Sequence, residues 1–145
     1  MKNSVHPNLK RRLVTELAIV RRKFGNEFRL ESTAESYRVS GFIRVESQSL
    51  AARVDYPSVY PLTPPEVRLA IQTSQGCPHI LGIDNGWVKI CWIGTGNAMT
   101  GRRRWDPHRH TAATALLAAQ RWLAAMLAWQ QLGRWPVADA WDPNS

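Results

Sequence analysis

Asp55-Tyr56-Pro57-Ser58-Val59-Tyr60-Pro61-Leu62-Thr63-Pro64-Pro65-Glu66-Val67 interrupts an otherwise alternating pattern and decides what fold can be built around it. Four prolines fall within nine residues. Each removes a backbone donor and fixes φ, so the run excludes a sheet interior and predicts an ordered, rigid loop. On both sides the sequence alternates with a period of two. Upstream stand Phe28 and Leu30, then Tyr37 and Val39, then Ala51 and Arg53 with Val54; downstream stand Val67, Leu69 and Ile71. Turn-forming residues separate these segments, which predicts a four-stranded antiparallel meander with the proline loop before its last strand.

Ahead of the meander, Leu9, Leu13, Leu17, Val20 and Phe24 recur at three- and four-residue steps, the pattern of an amphipathic helix from Asn8 to Phe24, with Gly25 as its stop. The opposite face carries Arg11, Arg12, Arg21 and Arg22. Beyond the meander, residues 76–104 show no strong periodicity and hold many glycines. They predict irregular structure around a short extended piece, Trp87 to Ile93, and a loop-rich segment of this kind is where function concentrates. Asp106-Pro107 reads as a helix start, the Asp capping and the Pro in the first helical position. The helix should run to about Leu132, burying one stripe of Leu116, Gln120, Leu123 and Leu127 and another of Trp122, Met126 and Trp129, before Gly133 and Pro136 end it. Together these elements predict one α+β domain over residues 1–145.

Net charge is +8, and residues 2–29 alone carry an excess of six positive charges, which makes the first helix a candidate docking surface for an acidic partner. No aromatic-plus-basic recognition motif accompanies the charge, which argues against nucleic acid as that partner. Two cysteines, Cys77 and Cys91, are too few for a disulfide framework and fit a reducing compartment. The opening residues lack the apolar stretch of a signal peptide. The most apolar region, residues 111–132, is broken by Gln120, Arg121, Gln130 and Gln131, too often for a membrane span. The expectation is a soluble cytoplasmic protein.

One order of motifs runs almost the length of the chain: basic amphipathic helix, meander, Tyr60-Pro61 with Pro64-Pro65, Cys77-Pro78-His79, Gly86 to Ile90-Cys91, Trp105-Asp106-Pro107, helix. In this it resembles the ubiquitin-conjugating enzyme family, where Tyr-Pro, two variable residues and Pro-Pro follow the third strand, His-Pro-Asn precedes a Gly-x-Ile-Cys segment, and Trp-x-Pro opens the next helix. The resemblance implies that Cys91 is the nucleophile. It would accept an acyl group, usually a carboxy-terminal glycine, as a thioester, and an amine on a target protein would then attack. It implies no metal or organic cofactor at this step. Where the family has Asn, this chain has His79, so the role of holding the oxyanion passes to an imidazole that can donate a hydrogen bond or act as a base; a purely structural His is the other reading. Asp84 and Asp106 are the acids on flanking loops, Asp106 doubling as a helix cap. Arg11 and Arg12 match the surface by which family members meet an activating enzyme. Arg102, Arg103 and Arg104 lie between the nucleophile and its helix, where an acidic modifier tail or substrate would pass.

The twelve-residue interval from His79 to Cys91 is longer than in the family, and the family's last two helices are expected to be missing. This trimming resembles the bacterial branch encoded in antiphage operons. Trp122-Leu123 and Gly133-Arg134-Trp135-Pro136 look more like the branch in cyclic-oligonucleotide-based signalling (CBASS), where the acyl donor is a cGAS/DncV-like nucleotidyltransferase. The alternative is the bacterial ubiquitin-like (Bil) pathway, with its own modifier and activating enzyme. Other chemistries compete for the same residues. Cys77, His79, Cys91, His108 and His110 are zinc-ligand types, although their spacings match no common finger. His108 and His110 otherwise read as solvated residues of the helix's first turn. A non-catalytic module of the same fold would bind protein without Cys91, and a cysteine hydrolase would need an orienting partner for its His that the sequence does not offer.

Overall fold

The computed structural model describes residues 8–72, 76–92 and 105–136. Its elements are α1 (Leu9–Phe24), β1 (Arg29–Ser32), β2 (Tyr37–Val45), β3 (Gln48–Tyr56), β4 (Glu66–Leu69), β5 (Ile80–Asp84), β6 (Trp87–Ile90) and α2 (Ala112–Leu132). All the strand pairs are antiparallel and form one sheet in the order β1-β2-β3-β4-β6-β5. The α+β class holds. The strand count is six rather than four, because the segment read as irregular contributes a hairpin that adds to the sheet through β6. Its turn is Asn85-Gly86, with φ of 52° and 83°. Such a two-residue turn demands positive φ at both positions, which Asn and Gly tolerate best.

One sheet face is apolar. Val39, Ile43, Val54, Val67, Leu69 and Val88 point inward and are buried under α1 and α2. On β2, Gly41 leaves room for the Phe28 ring: a Cβ there would lie 2.5 Å from it. The opposite face carries Arg38, Asp55, Glu66, Arg68 and Lys89 in cross-strand register, Arg38 facing Asp55 and Arg68 facing Lys89. Arg68 bonds Asp55 at 2.8 Å and Lys89 bonds Glu66 at 2.6 Å. Burial pushes the Glu66 carboxyl up, but the hydrogen bonds and charges of Lys89 and Arg68 outweigh it and hold the group below its ordinary range.

α1 follows the sequence reading closely, with Leu9, Leu13 and Val20 buried and Gly25 at its end. α2 starts later than Asp106-Pro107 suggests. Its cap is Thr111, whose hydroxyl accepts from Ala113 N–H at 3.1 Å while Thr114 Oγ1 accepts from Thr111 N–H at 3.0 Å. Asp106 caps a separate turn: its Oδ1 accepts from His108 N–H at 2.9 Å, and its own N–H donates to His110 Nδ1 at 2.9 Å. His110 is therefore buried, against the expectation of a solvated residue, and its ring lies tilted against Trp105 at 5.5 Å. Along α2 six alanines are buried beside Leu116, Trp122, Leu123 and Met126. Small side chains there let the helix approach the sheet closely. Gly133 ends it at φ 75°, its N–H donating to Trp129 C=O. Among the described residues no helix is long and apolar enough to cross a membrane.

The proline loop is ordered by donors brought from elsewhere. Its carbonyls have few local partners, since the prolines contribute none. Trp105 Nε1–H donates to Pro61 C=O at 2.8 Å and Trp92 Nε1–H to Pro65 C=O at 3.0 Å. The two indoles meet edge to face at 5.9 Å, and Tyr60 leans on Trp105 at 5.9 Å. The Tyr60-Pro61 peptide is cis.

Candidate functional site

Cys91 follows directly on β6 and is half-buried; neither it nor Cys77 is in a disulfide. Its backbone N–H donates to His79 C=O at 2.9 Å. The same carbonyl accepts from Trp122 Nε1–H, on α2, at 3.1 Å. His79 holds φ at 62°, a conformation that L residues adopt rarely and at some cost in energy. Its ring lies 4.8 Å from that of Trp135, which lies 5.8 Å from Trp122. The structure thus joins the two residues that the sequence singles out. The join is through the backbone of His79, locked from below by Trp122 and covered by the segment after α2.

The other candidates are placed differently. Asp84 is exposed at the turn end of the hairpin, about 13 Å of strand from the His79 end. Asp106 sits in its own turn, with the bonds described above. Cys77 is half-buried, its Sγ 3.6 Å from Pro78 O, and burial pushes its thiol up, away from the thiolate form a nucleophile needs. Arg102, Arg103 and Arg104 lie outside the described residues. Among the described residues no three His, Cys, Asp or Glu side chains are grouped to hold a metal, so the zinc-ligand types are not gathered.

Arg11 is exposed and lines an open groove of about 490 Å³ with Thr15, Ile19, Pro107 and His108. Arg12 turns inward, contrary to its place on the arginine face. Its Nε bonds Glu16 at 2.8 Å, and its Nη2 donates to Pro107 C=O at 2.9 Å and to His110 C=O at 3.1 Å. Glu16 is 2% exposed. Its carboxylate accepts from Tyr60 Oη at 2.7 Å, from Ala112 N–H at 2.7 Å and from Tyr56 Oη at 3.4 Å. One acid therefore ties α1, the proline loop and the N-terminus of α2 together, where the helix dipole favours a negative charge. The sequence signal available for it was the spacing of Arg12 and Glu16 by four, a helical ion-pair spacing.

Burial, then the Glu16 charge, pushes both Tyr56 and Tyr60 well above the ordinary phenol range. A folded-state value raised above the unfolded one stabilises fully below about pH 10, and the contribution is lost as pH climbs beyond it. The midpoint of urea unfolding should therefore fall steeply above about pH 10 in the wild type and less steeply in Tyr60→Phe. Equal slopes would show that Tyr60 does not carry the alkaline loss.

Comparison of this chain with family models, with curated proteins and with solved structures found no match.

Proposed function

We propose that the chain is a ubiquitin-conjugating-like acyltransferase in which Cys91 carries an acyl group as a thioester and passes it to an amine on a target protein. The observation that carries the reading is the His79–Cys91 junction: a half-exposed thiol whose backbone is tied to a strained residue bearing an imidazole. The order of motifs along the sequence supports it. In the first step the Cys91 thiolate attacks the activated carboxy-terminal carbonyl of the donor, the C–S bond forms and the activating group leaves with its electron pair. In the second step a target amine attacks the thioester carbonyl, giving a tetrahedral oxyanion that a hydrogen bond from the His79 ring would stabilise. The C–S bond then breaks, the amine's proton passes to a base, and the amide and the Cys91 thiolate are left.

The remodelled loop before Cys91 favours the bacterial branch, and Trp105-Asp106-Pro107 with Trp122-Leu123 and Gly133-Arg134-Trp135-Pro136 favours its signalling member, with a cGAS/DncV-like nucleotidyltransferase as donor. Arg11, being exposed, is then the residue of this pair with a free guanidinium to offer an activating enzyme, since that of Arg12, although partly exposed, is held by Glu16 and the carbonyls of Pro107 and His110.

Intact mass spectrometry of the protein co-expressed with its neighbouring genes tests the reading. A mass adduct on the wild type that reductant removes, that is absent in Cys91→Ala and becomes resistant to reductant in Cys91→Ser, is the expected result, and its mass names the donor. A wild type without adduct, with donor and activating enzyme both present, would replace the reading with that of a non-covalent protein-binding module.

A further inference from the structure

We infer that the groove on the open face of the sheet, beside the proline loop, is a binding site for a small phosphomonoester. The inference stands apart from the acyl-transfer reading of Cys91. Three cations stand side by side on that face: Arg53 on β3 is in register with Arg68 on β4, which is in register with Lys89 on β6. Like charges directly opposite one another weaken a sheet, and sequences break such local rules mostly where function requires it. Arg38 on β2 adds a fourth cation, in register with Asp55. Among the described residues of the groove wall, Asp55 and Glu66 are the carboxylates paired with these four, which leaves two positive charges without a counter-charge. A phosphomonoester carries close to that charge with the opposite sign. Glu35 also borders the groove but is exposed, where solvent screens it.

The way the carboxylates are shared shows which donors are spare. Asp55 is divided among three guanidiniums, with Arg68 at 2.8 Å, Arg53 at 3.3 Å and Arg38 at 3.5 Å. The Arg68 contact is a hydrogen bond, whereas the Nε atoms of Arg38 and Arg53 are buried with no hydrogen-bond partner. Such donors are costly to leave unmet. Both side chains remain partly exposed, so a small rotation brings each fork, Nε included, to an acceptor in the groove, and guanidinium forks match phosphate oxygens two at a time. Glu31, opposite Arg38 on β1, accepts instead from the Ser40 hydroxyl. The groove holds about 780 Å³, the size of a small-molecule site, and Pro64, Pro65 and Leu81 give its wall an apolar part for the organic portion of the ligand. Ile90 and Trp92 line it too, so the ligand would lie alongside Cys91. A nucleic-acid strand is a poorer occupant, because the Trp87 ring on which a base would stack is covered by the Arg53 guanidinium at 4.5 Å.

Titration calorimetry of the full chain at about 0.15 M salt tests this with inorganic phosphate, phenyl phosphate, AMP and adenosine. Phosphate should bind weakly, at least one of the two monoesters at least about tenfold more tightly, and adenosine not at all. Arg38→Gln combined with Arg53→Gln should weaken the binding of that monoester at least about tenfold, while Cys91→Ala leaves it unchanged. Arg38→Lys combined with Arg53→Lys keeps the charges and removes the forks; it should show a smaller loss, and it carries the test if circular dichroism finds the glutamine variant unfolded. No binding of phosphate or either monoester overturns the inference, as does adenosine binding as well as AMP. Monoesters no tighter than phosphate reduce the groove to a simple anion site and overturn it also. So does an affinity unchanged in whichever variant folds, or one lost in Cys91→Ala. A thymidylate oligomer that binds more tightly than either monoester, and loses its binding in the same arginine variants, assigns the face to a nucleic-acid strand and overturns the small-molecule site.

Discussion

Glu16→Ala is expected to lower stability by about 2–5 kcal/mol, because it removes the buried acceptor of two interior donors as well as the partner of the partly exposed Arg12 guanidinium. The carboxylate holds Arg12, Tyr60 and the first amide of α2 at 2.7 to 2.9 Å, with Tyr56 at its margin. With alanine there, Arg12 keeps its two carbonyl acceptors, but the Ala112 N–H and the Tyr60 hydroxyl lose theirs inside the protein, where each unsatisfied group costs about 1–3 kcal/mol. Glu16→Gln should lose less, since an amide oxygen still accepts from one donor. Urea unfolding at constant m value measures both. A loss under about 1 kcal/mol for alanine would mean that water reaches the cluster and that its members act independently.

Trp122→Ala should be as severe in stability, at about 3–5 kcal/mol, because Trp122 heads the largest fully buried side chains and its removal leaves a cavity among α2, Trp135 and the His79 turn. The more informative variant is Trp122→Phe. It keeps most of the apolar volume and removes only the Nε1–H donor to His79 C=O, a loss of about 1 kcal/mol in stability. Cys91 N–H would remain as a partner for that carbonyl, and the strained turn at His79 would be less restrained. We expect Trp122→Phe to slow transfer from a Cys91 thioester to an amine while leaving alkylation of the thiol unchanged. Unchanged transfer would make the Trp122 bond purely structural.

How legible this was in the sequence depended on whether a feature was local. The α1 stripe and its Gly25 stop were readable because helical periodicity is local, and the proline run announced an ordered loop because proline excludes the alternatives. The hairpin of β5 and β6 was missed, its segment being read as irregular, although it carries a local signal. Asn85-Gly86 is a strong turn signal, but the glycines around it obscured it by suggesting irregularity. Arg12 looked like its neighbour Arg11, and no pattern along one helix says that its guanidinium will reach the carbonyls of Pro107 and His110. The start of α2 was misread for a similar reason. Asp106-Pro107 has the composition of a helix cap, yet His110 accepts from the Asp106 amide and closes that turn on itself, leaving Thr111 and Thr114 to begin the helix. At the candidate site, Cys91 and His79 stood out by motif, whereas the indole that fixes them arrives from 43 residues along the chain.

The bond from Glu16 to the Ala112 amide spans 96 positions, and this bears on how the protein is made. While the ribosome still holds α2, the meander can pair and α1 can lie against it, but the carboxylate of α1 has neither the amide nor the Arg12-braced turn that it will meet in the finished fold. Desolvating it then would be unfavourable. The nascent chain accordingly keeps that corner open and hydrated until α2 has emerged, and closes there only afterwards.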